Sequence, residues 1–320
     1  MKFKCAMVLA IVAGSAFAER IQMPSGCTTP DGMAIDPKGR LVIAAANVSD
    51  RSKPGAVFRM DAPDKAPVKW FEVPPHPESG YAQPMGIAFG PDGELYLCDC
   101  QEPGKGRLLR FEFAADDSVA KCETVADGLA NANGVKYYKG RLYLSQAKVP
   151  RAKRNKEGSA SAIYCFSATD RNVKVTNTEA DSQMVFCDST MNPKMAVGLN
   201  GVAIDKNGYL YTGNYGDGRV WRLKIGEDGK IAEKKVFVEP SEENGIVSPD
   251  GMCVDEEGNL YIADMFGYSA QKVTPDGKVI TLMKNPPDVK DGLERPSEPC
   301  FWKGCLYLSN WGGTTLFRLK

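Results

Sequence analysis

The chain has 320 residues, 40 basic and 40 acidic side chains, and a single histidine. A formal charge of zero removes the electrostatic reason to expect nucleic acid or an anionic membrane as partner. One histidine puts a His-rich metal centre out of reach, and 32 glycines with 21 prolines between short apolar runs point to tight turns rather than helices.

In chain order, the first segment reads MKFK, then an apolar run over 5–12, then Ala16-Phe17-Ala18. This predicts an export signal over 1–18, a mature chain from Glu19 and a periplasmic or secreted protein. The run is too short to span a bilayer. Residues 20–24 then form a strand-like run with no obvious neighbour. Four alternating runs follow at 33–36, 41–45, 56–61 and 68–73, the first two joined by Pro37-Lys38-Gly39. The opening phrase, GMAIDPKGRLVIA from Gly32, returns as GIAFGPDGELYLC from Gly86 and GVKYYKGRLYLS from Gly134. It returns again as GVAIDKNGYLYTG from Gly201 and GMCVDEEGNLYIA from Gly251, with a degraded copy, PCFWKGCLYLSN, from Pro299. The glycine spacings are 54, 48, 67 and 50 residues. Repeats of this length built from short strands predict an all-β chain folded as a six-bladed β-propeller, one domain over 19–320. Further outer strands are expected at 121–126, 184–188, 234–239 and 279–284. The last copy stops after 306–310 and 315–319 without an outer strand. The spare run at 20–24 supplies one, which closes the ring and removes its exposed edges.

The 67-residue unit carries surplus at 145–161 and 189–199. In a propeller both loops open on the face where the innermost strands begin, and long loops gathered over one mouth usually carry function. The first contains Lys148, Arg151, Lys153, Arg154 and Lys156, which are either a solvated loop or a steering patch for an anionic substrate. Tyr215 and Trp311 follow second strands and are candidates for stacking on a substrate ring. His76 lies in a Pro-Pro-His-Pro loop, and no Ser-His-Asp device is evident around it. Cys300 with Cys305 and Cys165 with Cys187 are candidate disulfides, with buried free thiols the equal alternative.

The residue before each repeated glycine is Asp31, Met85, Asn133, Asn200 and Asp250; in the sixth copy it falls on Ser297 or Glu298. Innermost strands begin at the central channel, so these side chains should converge. Two carboxylates and two carboxamides offer only oxygen donors. That set suits Ca²⁺, with Mg²⁺ or Mn²⁺ as alternatives. Facing carboxylates would repel in a narrow channel unless a cation held them. The predicted metal ligands are therefore Asp31, Asn133, Asn200 and Asp250.

On these residues the chain resembles the gluconolactonase/regucalcin family of six-bladed propellers and their relatives, the fluorophosphate hydrolases. The closest motifs are Ser248-Pro249-Asp250-Gly251-Met252-Cys253-Val254-Asp255 and Leu199-Asn200-Gly201-Val202. The resemblance implies a divalent metal held in the channel by an acid from blade one, Asn residues from middle blades and Asp250. Asp31 stands where the family usually has a glutamate. The implied activity is metal-assisted hydrolysis of a lactone or related ester, a small-molecule substrate, with Asp250 as general base or nucleophile. Glu298, Tyr215, Trp311 and Arg151 are the candidate substrate contacts. The alternative is a non-catalytic propeller of the NHL type that binds a protein or glycan through the same face.

Overall fold

A computed structural model describes residues 18–150, 158–241, 245–287 and 292–320. The expected signal segment therefore lies almost wholly outside the described residues, as do Arg151, Lys153, Arg154 and Lys156. Lys148, at the end of a described strand, is exposed.

Six antiparallel sheets stand in a ring. Their innermost strands are Pro30–Ile35, Pro84–Phe89, Ala132–Tyr138, Leu199–Ile204, Pro249–Val254 and Pro296–Trp302. Each packs on the next, and the last packs on the first. Among the described residues, six apolar clusters fill the six seams between neighbouring blades. Met33, Ile43 and Phe58 of blade one, for example, meet Trp302, Tyr307 and Leu316 of blade six. No blade can bury both faces alone, so burial of the apolar faces drives the ring to close. The closure is the expected one: Ala18–Gln22 pairs antiparallel with Thr315–Leu319, from Ala18 opposite Leu319 to Gln22 opposite Thr315. No helix among the described residues is long and apolar enough to cross a membrane.

Turn chemistry fixes the hairpins between first and second strands. Gly39, Gly93, Gly208 and Gly258 all hold positive φ there, and blades three and six use two-residue turns, Lys139-Gly140 and Lys303-Gly304, with both residues at positive φ. That is the type I′ geometry matched to strand twist. The backbone before five of the six innermost strands is tied by a polar residue at or near the end of the second strand of the same blade. Asn47, Asp99, Gln146, Asp264 and Asn310 accept from the N–H groups of Thr28, Gln83, Ala130, Ser248 and Glu294.

Two features depart from the sequence reading. Blade two gains a fifth strand, Val173–Lys174, which lies parallel to the outer strand Val119–Leu129 and comes from blade three. Two residues give no alternation for a pattern to detect. All nine described cysteines are free, so neither candidate disulfide forms. Cys165 sits beyond the Tyr164–Met184 pairing, and its N–H reaches Gln183, whereas Cys187 faces Ala162. Cys300 faces Tyr307 and Cys305 faces Trp302, two pairs further along the ladder.

Candidate functional site

Every innermost strand breaks its ladder at the same place. The pairing skips from Pro30 to Met33, Pro84 to Ile87, Ala132 to Val135, Leu199 to Val202, Pro249 to Met252 and Pro296 to Pro299. Such a bulge releases two residues from pairing and re-aims them. The released pairs are Asp31-Gly32, Met85-Gly86, Asn133-Gly134, Asn200-Gly201, Asp250-Gly251 and Ser297-Glu298. The sixth position of the ring is thereby Ser297, and Glu298 stands where the other blades carry glycine.

The glycines are required by how closely the blades converge. A Cβ on Gly32 would lie 2.8 Å from the Gly86 Cα, one on Gly86 2.7 Å from the Gly134 Cα, and one on Gly201 2.6 Å from the Gly251 Cα. Real Cβ atoms do not approach backbone that closely.

Asp31, Asn133 and Asp250 line one small cavity on the axis, together with Lys136, Glu298 and the ring glycines. The cavity has room for about one water-sized sphere, roughly 10 Å³, which is the space an ion or a single water needs. Asn200 does not itself line the cavity, although the next residue, Gly201, does; the Asn200 side chain is buried and its Oδ1 has no hydrogen-bond partner. A buried carboxamide oxygen left without a donor costs about 1–3 kcal/mol unless a cation or water meets it. The Ser297 hydroxyl lies 2.6 Å from Asp31 Oδ1 and 3.1 Å from Asp250 Oδ2. One hydroxyl carries one proton, so donating to Asp31 leaves Asp250 to supply its own proton for the second contact. The pKa values follow that logic. Burial raises Asp31 to about 7, against the Ser297 hydrogen bond and with help from the Glu298 charge. Burial, then the Asp31 charge, holds Asp250 well above the ordinary carboxylate range. Both acids lack a compensating positive charge of their own.

The donor set therefore fits a hard divalent cation: two buried carboxylates, one orphaned carboxamide oxygen and a second carboxamide. No cluster of three His, Cys, Asp or Glu side chains able to hold a metal occurs among the described residues. Any metal here relies on the Asn residues.

Glu298 does not reach the mouth. Its carboxylate accepts from the Lys136 ammonium at 2.9 Å across the channel. Tyr215 is buried, its hydroxyl 3.0 Å from Met265 Sδ and its ring edge-on to Phe266 at 5.9 Å. Trp311 is half-buried against the cluster between blades two and three. His76 turns in on its own loop, where its Nδ1 accepts from the Glu78 N–H. Sequence reasoning missed Lys136. It also missed the two exposed arginines of the open face, Arg51 over the Tyr81 ring at 4.1 Å and Arg295 over Phe266 at 5.6 Å. The signal for Lys136 was present. Three places after each ring residue the chain reads Ala34, Ala88, Lys136, Ala203, Cys253 and Cys300, one long cation among small side chains.

The model of the SMP-30/gluconolactonase/LRE-like region matches residues 138–305, more than half of the chain. Diisopropyl-fluorophosphatase of Loligo vulgaris is 24% identical over 259 residues, covering 77% of this chain and 75% of that protein. Among solved structures, a calcium-binding regucalcin from Agrobacterium tumefaciens superposes with TM-score 0.63 at 14% identity, covering 94% of this chain and 92% of that one. A gluconolactonase from Xanthomonas campestris does so with TM-score 0.60 at 16% identity, covering 94% and 89%. At such identities the superpositions speak for the six-bladed fold alone. On the family match, carried by more than half of its length, the chain belongs to the SMP-30/gluconolactonase/LRE-like family.

Proposed function

We propose that the protein is a calcium-dependent hydrolase of lactones or related esters, working at the axial ring. The observation that carries this is the meeting of Asp31 and Asp250 at one hydroxyl, beside an orphaned buried Asn200 oxygen. A non-catalytic scaffold has no need of two acids at its hub that have no direct ion-pair partner. The similarity to a fluorophosphatase and to a gluconolactonase supports a hydrolase.

Asp31, Asn133, Asn200 and Asp250 would hold the ion, with Mg²⁺ or Mn²⁺ as alternatives to Ca²⁺. When bound, the ion would act as a Lewis acid on the substrate carbonyl and on the negative charge that develops there. Ser297 keeps Asp31 and Asp250 in position. Asp250 acts as base or nucleophile: its proton must leave before the ring takes a cation, and the freed carboxylate then faces the channel. Arg51 and Arg295, exposed on the open face, attract an anionic group on the substrate. An N-terminal export signal would place this activity in the periplasm or outside the cell.

The test is hydrolysis of a panel of sugar lactones and aryl esters before and after EDTA. Loss of turnover in EDTA and recovery with Ca²⁺ supports the reading. Full turnover in EDTA removes it.

A further inference from the structure

We propose that Lys136 is a resident counter-ion of the channel: a cation tethered to the chain that lets the axial acids stand together before a divalent ion arrives, and that limits how tightly the ring takes one. Its second half rests on the reading of the ring as a cation site.

The sixth blade departs from the other five. Five innermost strands carry glycine after the ring residue, and the sixth carries Glu298. This puts a third carboxylate into a hub that already holds Asp31 and Asp250. The Glu298 charge raises the pKa of both, so the three acids sense one another. Among the described residues lining the cavity, Lys136 alone is cationic. Its Nζ lies 2.9 Å from Glu298 Oε1, and the two side chains keep 23% and 10% of their surface accessible. Burial works against the ammonium, but the charge and hydrogen bond of Glu298 outweigh it and raise its pKa. Lys136 is therefore charged at neutral pH. Glu298 also accepts from the Met252 N–H, two residues past Asp250, so the pair ties blades three, five and six around the axis.

Nothing in the packing asks for a lysine. Alanine or cysteine fills the equivalent place on the other five blades. What the place does receive is a positive charge that cannot dissociate. A bound ion must neutralise the acids in competition with solvent, whereas an ammonium on the chain needs no association step. The same fixed charge repels an arriving divalent cation. Lys136 thus acts as a positioning residue with two opposed effects, supporting the metal-free hub and weakening the metal site.

Lys136→Met keeps the length of the side chain and removes the charge. Lys136→Met/Glu298→Gln removes both partners. Thermal melts of the full chain in EDTA and in excess Ca²⁺, with calorimetric Ca²⁺ titrations at pH 8, read the outcome. In EDTA the single variant should melt roughly 5–10 °C below the parent, as expected for one broken, partly buried pair. It should bind Ca²⁺ roughly tenfold tighter than the parent and regain most of its lost melting temperature with it. The double variant should return to within a few degrees of the parent in EDTA and to near the parent Ca²⁺ affinity. A single variant as stable as the parent in EDTA overturns the proposal, and so does one that binds Ca²⁺ no tighter than the parent. Should the single variant fold only with Ca²⁺, the double variant decides: if it also fails without Ca²⁺, the counter-ion role is wrong. If the parent takes up no Ca²⁺ at all, the metal reading falls. A destabilised single variant rescued by the second substitution would still uphold the support that Lys136 gives the hub.

Discussion

The Ser297 hydroxyl donates to Asp31 Oδ1 at 2.6 Å, across the seam where the last blade meets the first. The residue that closes the ring thereby also aims one of the two acids at its hub. Ser297→Ala should leave the fold intact and lower Ca²⁺ affinity about 10–100-fold, the usual cost of losing a group that orients a ligand. Calorimetry checks this. An unchanged affinity would mean that Asp31 is held by something else.

Asp250→Asn conserves shape and removes the charge. In the metal-free protein Asp250 is held largely protonated by burial and by Asp31, so the neutral amide is an adequate replacement there. The variant should melt in EDTA no lower than the parent. It should lose lactone turnover and bind Ca²⁺ at least about a hundredfold more weakly. A sharp fall in melting temperature without metal would show that the native carboxylate is charged and paired.

Stability should depend on pH in a direction that metal reverses. The folded pKa of Asp31 is raised to about 7 from an ordinary value of 3.8. An acid whose pKa rises on folding contributes stability that is complete below the unfolded value and is lost as pH climbs to the folded value. In EDTA, melting temperature should therefore fall between about pH 4 and pH 7 and level off above. Saturating Ca²⁺, which takes the ionised form, should flatten or invert the slope. A melting curve in EDTA that rises steadily from pH 4 to 7 would count against two proton-holding acids at the hub.

The glycine ring makes a graded prediction. A Cβ on Gly201 would press to 2.6 Å from the Gly251 Cα, whereas on Gly134 the nearest atom is the Asn200 carbonyl oxygen at 3.0 Å. Gly201→Ala should cost about 3 kcal/mol or more, and Gly134→Ala clearly less. Chemical denaturation of the two variants side by side reads the difference. The reverse order would mean that the blades do not converge as described.

Much of this arrangement was legible because the chain states it six times. Repeated Gly, apolar pair, turn and Leu-Tyr gave the blades. The missing outer strand after 315–319 and the spare run near Arg20 gave the closure. The polar residue before four of the five repeated glycines, all but the one after Met85, gave the candidate ring. Where the repeat decays, legibility decays with it. The sixth copy has no glycine to anchor its frame, so Ser297 and Glu298 could not be separated until the skip from Pro296 to Pro299 matched that from Pro30 to Met33. Lys136 escaped notice because its role is set by Glu298, 162 positions away. Cys165 and Cys187 lie on paired strands, but adjacency on a list of strands is not register. The short ribbon at Val173–Lys174 pairs through backbone alone and leaves no side-chain pattern to read.

The central claim is that side chains far apart in sequence meet around one ion on the axis. Its most direct measurement is a crystal structure grown in saturating Ca²⁺, with anomalous difference density at the hub. The account predicts a single ion ligated by Asp31, Asn133, Asn200 and Asp250 at about 2.3–2.6 Å, with Lys136 still paired to Glu298. An empty hub under those conditions, or an ion held by other residues, would contradict it.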